Sequence, residues 1–269
     1  MKDILRFGLL FFLLNVIYTL SVHEKNETKS GRQRRIVGGE IANDGEFPYM
    51  VAIFRKNSCC GGFTLITTQT VLGSAHPIEG VDIRDLSGRV GNVNKFKGHK
   101  ILFDRKILHP SYNGTRFLHD IAILLLNCPI QNLLNVQPTA LAGINQRFTS
   151  GNAIVIGWGR TGPGEEHRNA FLRWAEVNLV DPKDGWITNP RYKITGKEIM
   201  TVTPGVASMR GDSGSPLIIK DNSGQHVVIG VSSGGHNAVN KADVYMSTSV
   251  YHDFIANNSR GVLVYHVLI

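Results

Sequence analysis

Residues 211–216 read Gly211-Asp212-Ser213-Gly214-Ser215-Pro216, a glycine-rich turn built around one serine. Three other short blocks precede it along the chain: Ile36-Val37-Gly38-Gly39, Ser74-Ala75-His76 and Asp120-Ile121-Ala122. A lone serine, histidine or aspartate carries no information, since any chain of this size offers many. An ordered set of them does, because nucleophilic chemistry needs these types together. A serine hydroxyl is a poor nucleophile until a neighbouring imidazole takes its proton during attack. The imidazole in turn needs a carboxylate to hold its tautomer and stabilise the imidazolium that forms.

The rest of the chain is compatible with one such centre. Its 269 residues, 42% of them hydrophobic, suffice for one large globular unit or two small lobes. With 19% charged and 8% aromatic residues, neither a disordered tail nor a coiled coil describes the whole. The 29 glycines follow no collagen-like period and point to a turn-rich, all-β protein. No internal repeat stands out, which argues against solenoids and propellers. The net charge of +8 is concentrated at the start: residues 1–35 hold seven Lys/Arg and three Asp/Glu, leaving about +4 for the body. That is an ordinary surface value, so no nucleic-acid partner is expected.

The first residues read as an address. Met1 to Arg6 give a basic start and Phe7 to Leu20 an apolar run, with Thr19 and Ser21 small enough for signal peptidase. The run is shorter than the ~20 apolar residues that span a bilayer, so residues 1–21 are expected to be a secretory signal and not an anchor. Residues 22–35 are polar, with nothing to bury, and end Arg32-Gln33-Arg34-Arg35. Such a basic cluster suits a furin-like processing protease.

Together the four blocks resemble the trypsin-like, chymotrypsin-fold serine proteases in order and spacing, from Ile36 to about Asn257. The resemblance implies a mostly β protein of two packed six-stranded antiparallel barrels with a C-terminal helix. Residues 36–269 would form the protease domain, with the lobes meeting near residue 140. It also implies roles. Ser213 is the nucleophile, His76 the general base and later acid, and Asp120 the residue that orients it. The backbone N–H groups of Gly211 and Ser213 form the oxyanion hole. Glycine is needed at 211 because a side chain would hinder the turn. Cutting after Arg35 frees the Ile36 ammonium to bury itself beside Asp212, so the chain as written is a zymogen needing an activating protease. Breaking such a buried pair costs roughly 3–5 kcal/mol.

Cys60-Gly61-Gly62, Leu65-Ile66, Gly157-Trp158-Gly159 and Val231-Ser232-Ser233-Gly234 match further family blocks. By the resemblance Ser232 supports Asp120 from behind, and Ser233 stands where the family has Trp. The segments Tyr49–Phe54, Ile121–Leu126 and His226–Val231 read as strands and Val250–Asn257 as the helix.

The chain also departs from the family. It has only Cys59, Cys60 and Cys128, where secreted members carry at least three disulfides. Pro77 follows His76 where a Cys is usual, and Met209 replaces another. An odd count leaves at least one free thiol, and a free, partly buried Cys59/Cys60 pair is expected. Ser215 replaces a Gly, while Thr70 and Gly73 are unusual behind His76. Ala207 forms the floor of the specificity pocket, beside Ser208, Arg210, Ser232, Ser233 and Gly234, which alone favours bulky apolar side chains. Asp243, at a place usually held by Gly, would instead favour Lys or Arg if it faces the pocket; it could also turn to solvent or pair with Arg210. The triplets at Asn26, Asn113 and Asn257 fit glycosylation acceptors.

Two function classes follow: a secreted, monomeric serine endopeptidase acting on proteins or peptides without cofactor or metal, or a protease-fold paralogue that binds proteins without cutting them. The complete set Ser213, His76, Asp120, Asp212 and Ile36 favours the first.

Overall fold

Twelve of the fifteen strands among the described residues fall into two barrels, each built from runs of β-branched and leucine residues punctuated by turns. The computed structural model describes residues 39–162, 164–188 and 194–268. The segments expected to be signal and propeptide, with Arg35 and Ile36, lie outside the described residues. The chain enters as β1 (Glu40–Ile41), which pairs antiparallel with β10 (Arg173–Val180) of the second barrel.

The first barrel holds β2 (Met50–Arg55), β3 (Ser58–Thr67), β4 (Thr70–Gly73), β5 (Leu86–Val90), β6 (His99–Leu108) and β7 (Ala122–Leu126). They close in the order β2-β3-β4-β7-β6-β5, all antiparallel. Closure leaves no free sheet edge. The second barrel uses β9 (Asn152–Gly157), β10, β11 (Glu198–Thr201), β12 (Pro216–Lys220), β13 (His226–Gly234) and β14 (Asp243–Ser247). The pairing of β12 with both β9 and β13 closes this second ring of six. The fold is therefore the mostly β, two-barrel architecture that the resemblance implies.

Alternation along the strands sorts side chains between two cores. In β9, Ala153 and Val155 line the second barrel, while Ile154 and Ile156 face the larger core shared with the first. Val227 and Ile229 of β13 likewise point one way and Val228 the other. Both faces are therefore buried, so β2 and β7 show an almost unbroken run of buried residues instead of the polar alternation of a half-exposed strand.

A helix α1 (Pro182–Thr188) precedes β11, and α2 (His252–Asn258) follows β14. Ile255 of α2 is wholly buried in the larger core. Beyond it the tail straps both barrels. The Arg260 N–H donates to Thr70 Oγ1 at 2.8 Å, and its guanidinium meets Asp104 at 2.7 Å. Then β15 (Tyr265–His266) runs parallel to β8 (Ala140–Ala142), and Leu268 packs against the second core. Of the apolar residues after Gly261, Leu263, Tyr265 and Leu268 pack against the cores, while Val262, Val264 and Val267 are exposed.

Candidate active site

Three loops bring the expected residues together. His76 opens the turn after β4, Asp120 precedes β7, and Ser213 sits in the turn before β12. His76 Nε2 lies 2.7 Å from Ser213 Oγ, and His76 Nδ1 lies 2.7 Å from Asp120 Oδ2. Asp120 is completely buried. Its Oδ1 accepts the backbone N–H groups of Ala75 and His76, both at 2.8 Å. Its Oδ2 also accepts the Ser233 hydroxyl at 2.7 Å. Four donors thus satisfy a buried carboxylate and fix the imidazole facing it.

Ser233, and not Ser232, is the residue behind Asp120. A β-bulge lies between Ser232 and Gly234, and the extra residue advances the side-chain register by one. Ser232 acts through its backbone: its N–H donates to Ser215 O and its carbonyl accepts from Gly214 N–H, each at 2.8 Å. The position expected to carry an aromatic wall therefore falls on Gly234, which is half-buried.

The serine turn depends on glycine. Gly211 and Gly214 have φ of 104° and 80°, in the left-handed region that L side chains avoid. A Cβ on Gly214 would also overlap the ring of Phe63, as would one on Gly73. Phe63, fully buried on β3, thus fills the space between the strand leading to His76 and the turn carrying Ser213. The Ser213 carbonyl accepts the Gly62 N–H at 3.2 Å, which ties the same turn to β3. The small residue at 73 is the space that Phe63 occupies, a compensation the sequence reading missed. Ser215 is buried without a left-handed φ, so its Cβ carries no backbone strain.

Two further carboxylates are buried nearby. Asp212 Oδ1 accepts Gly159 N–H at 2.7 Å and its Oδ2 accepts Met209 N–H at 2.9 Å. Burial pushes its acid up to about 6, against the pull of those two N–H groups. Asp243 is only 6% exposed and its Oδ2 accepts Ser208 N–H at 2.8 Å. Its Oδ1 occupies the space a Cβ on Gly235 would need, and Ser208 Oγ lies 3.2 Å from Tyr245 Oη. Burial raises Asp243 to about 7. It therefore turns inward, neither to solvent nor to Arg210. Arg210 is exposed, and its carbonyl accepts Arg160 N–H at 3.0 Å. Ala207 is buried beside Ser208.

The three cysteines are free thiols, with Cys59 and Cys60 partly buried and Cys128 exposed. Burial raises the Cys59 thiol, and burial together with its neighbour pushes Cys60 up to about 12. Both are poor nucleophiles at neutral pH. Among the described residues no three His, Cys, Asp or Glu side chains come together as metal ligands. A cavity of about 680 Å³ opens beside Ser213 and His76, reaching Gly211 at one end and the β2–β3 turn at the other.

A serine hydroxyl, an imidazole and a buried carboxylate in line across the junction of two β-barrels define the arrangement of a chymotrypsin-fold serine protease. The trypsin family model matches residues 36–255, and the chain belongs to that family. It is 29% identical over 234 residues to Trypsin epsilon of Drosophila erecta, covering 85% of this chain and 89% of that one. It is 28% identical over 264 residues to the Vitellin-degrading protease of Bombyx mori, covering 95% and 97%. It also matches the Suppressor of tumorigenicity 14 protein homolog of Bos taurus, 29% identical over 247 residues, but spans only 28% of that longer protein.

Proposed function

We propose that the protein is a secreted serine endopeptidase made as a zymogen and activated by cleavage after Arg35. The observation that carries this is His76 held at 2.7 Å from both Asp120 and Ser213. Ser213 Oγ attacks the scissile carbonyl as His76 Nε2 takes its proton. The C–N bond then breaks, the leaving amine receives that proton, and water releases the acyl group by the same steps in reverse roles. Asp120 holds the imidazole, and the N–H groups of Gly211 and Ser213 face the developing oxyanion. The freed Ile36 ammonium pairs with Asp212, whose carboxylate accepts only backbone N–H groups among the described hydrogen bonds.

Asp243 directs cleavage after Lys or Arg. Its inward carboxyl is neutral below about pH 7 and charged above it, so a basic substrate side chain gains its partner as pH rises. The ratio of kcat/KM for Arg over Leu substrates should therefore climb between pH 6 and 8, and Asp243→Ala should abolish the climb. An unchanged ratio in the variant would remove Asp243 from the pocket.

The second reading, binding without turnover, is favoured by the absent aromatic wall at Gly234 and by the three free thiols. A fluorophosphonate probe separates the two readings, because it needs an activated serine and an oxyanion hole but no preferred substrate. Labelling that appears only after cleavage at Arg35, and is lost in Ser213→Ala, supports the zymogen. A folded, cleaved protein that does not label would hand the lead to the binding protein.

A further inference from the structure

Arg55, Lys95, Arg160, Arg168 and Arg210 line the cavity beside Ser213, and Lys95 is also tied into the framework behind the serine. It belongs to the loop between β5 and β6 of the first barrel. That loop is laced to the second barrel. The Leu172 N–H donates to Val93 O at 2.8 Å, the Lys95 N–H to Ala170 O at 3.0 Å, and the Trp158 indole N–H to Val93 O at 2.8 Å. From this fixed backbone the half-buried Lys95 side chain sends its ammonium to Trp158 O, 3.4 Å away.

The other end of the same peptide carries the serine turn. The Gly159 N–H donates to Asp212 Oδ1 at 2.7 Å, and the next N–H, of Arg160, donates to Arg210 O at 3.0 Å. A Cβ on Gly211 would stand 3.2 Å from Gly159 Cα, so the turn rests on this peptide. A cation thus holds the carbonyl of the Trp158–Gly159 peptide while a carboxylate holds its N–H. A peptide polarised from both ends strengthens each of the two bonds. Glycine at 159 offers little resistance of its own to turning, so outside partners must fix the peptide. Burial raises the Asp212 acid; the Met209 and Gly159 N–H groups, and after them the Lys95 charge, draw it down.

We propose that Lys95 is a positioning residue: through the Trp158–Gly159 peptide its ammonium holds Asp212, and with it the Gly211 and Ser213 N–H groups, in the arrangement that receives the oxyanion. The inference rests on the endopeptidase reading and deepens it, adding a control on the site from outside its four sequence blocks. Lys95 acts on the turn and not on the reacting atoms. Its effect therefore falls on stabilisation of the transition state, and so on kcat.

The test uses the full chain cleaved after Arg35 and one neutral peptide substrate, with each variant checked for fold by circular dichroism. Lys95→Met should lower kcat about tenfold with KM little changed, and the rate of fluorophosphonate labelling should fall in parallel. Lys95→Gln keeps a donor without the charge and should lie between Lys95→Met and the wild type. Lys95→Arg keeps both charge and donors and should restore most of the rate. An unchanged kcat in Lys95→Met, a loss carried by KM instead, or one that Lys95→Arg does not restore would overturn the proposal. A second readout needs no turnover. In the uncleaved chain, the carbon-13 signal of the Asp212 carboxyl should titrate at higher pH in Lys95→Met than in the wild type, and as the wild type does in Lys95→Arg. If the cleaved wild type does not label, the endopeptidase reading fails. A shifted titration then still upholds the tie from Lys95 to Asp212, and an unshifted one overturns it.

Discussion

The two sides of Ser213 are opposites. On one side the buried wall is acidic: Asp212 and Asp243 are buried, the first held by two backbone N–H groups and the second by that of Ser208. On the other side the cavity is open and cationic. Asp120 has four donors, where Asp212 has two backbone N–H groups and Asp243 has the Ser208 N–H and hydroxyl. The carboxylate with the most donors orients the imidazole, and burial keeps the acids of the other two raised. Satisfaction of hydrogen bonds thus separates a fixed part from one still able to take a partner.

Breaking the central element should have the largest effect. Ser213→Ala or His76→Ala should lower kcat by roughly four to six orders of magnitude, with the double variant little worse than either. Single-turnover assays read this directly, and additive losses would show that the two residues do not act as one unit. Next comes the packing beneath both turns. Phe63→Ala should cost about 3–5 kcal/mol in urea denaturation. Gly73→Leu, which forces a side chain into the Phe63 ring, should destabilise by about 1–3 kcal/mol or more. If Phe63→Ala with Gly73→Leu restores stability above either single variant, the two positions share one space.

Ser233→Ala should lower kcat by about 10- to 100-fold with KM little changed, because it removes one donor from the buried Asp120. Ser232→Ala should be nearly neutral. The reverse result would move the supporting role back to Ser232.

The smallest effect concerns pH. Asp212 and Asp243 sit at about 6 and about 7, above the ordinary value of 3.8, so the folded chain holds their protons more tightly than the unfolded one. Their contribution is full below about pH 4 and is lost as pH rises through 7. The uncleaved protein should therefore melt a few degrees lower at pH 8 than at pH 5, by the usual relation of stability to melting temperature. Asp243→Asn should flatten that slope. Cleavage after Arg35 should flatten the share due to Asp212, since a buried ammonium partner favours its charged form.

The four blocks at Ile36, His76, Asp120 and Ser213 carried the fold because their chemistry allows few substitutes and each is contiguous. His76, Asp120 and Ser213 come together from three loops at strand ends, and Ile36 falls outside the described residues. What stayed hidden has a physical reason in each case. The sequence Ser232-Ser233 offers two equivalent hydroxyls, and only the bulge in β13 decides which faces Asp120. Phe63 and Gly73 are ten residues apart on different strands, so their compensation is visible only once β3 and β4 pair. The direction of Asp243 depends on the Ser208 N–H, a backbone group without any signature in the sequence. The cationic cavity is assembled from segments more than a hundred residues apart, which net charge cannot localise.

The tail from Arg260 to Leu268 holds the two barrels by separate ties: Arg260 reaches Thr70 and Asp104 of the first, and β15 lies along β8 beside the second. A chain trimmed at that point would lose a clasp on each lobe at once, so the C-terminus works as a buckle and not as loose thread.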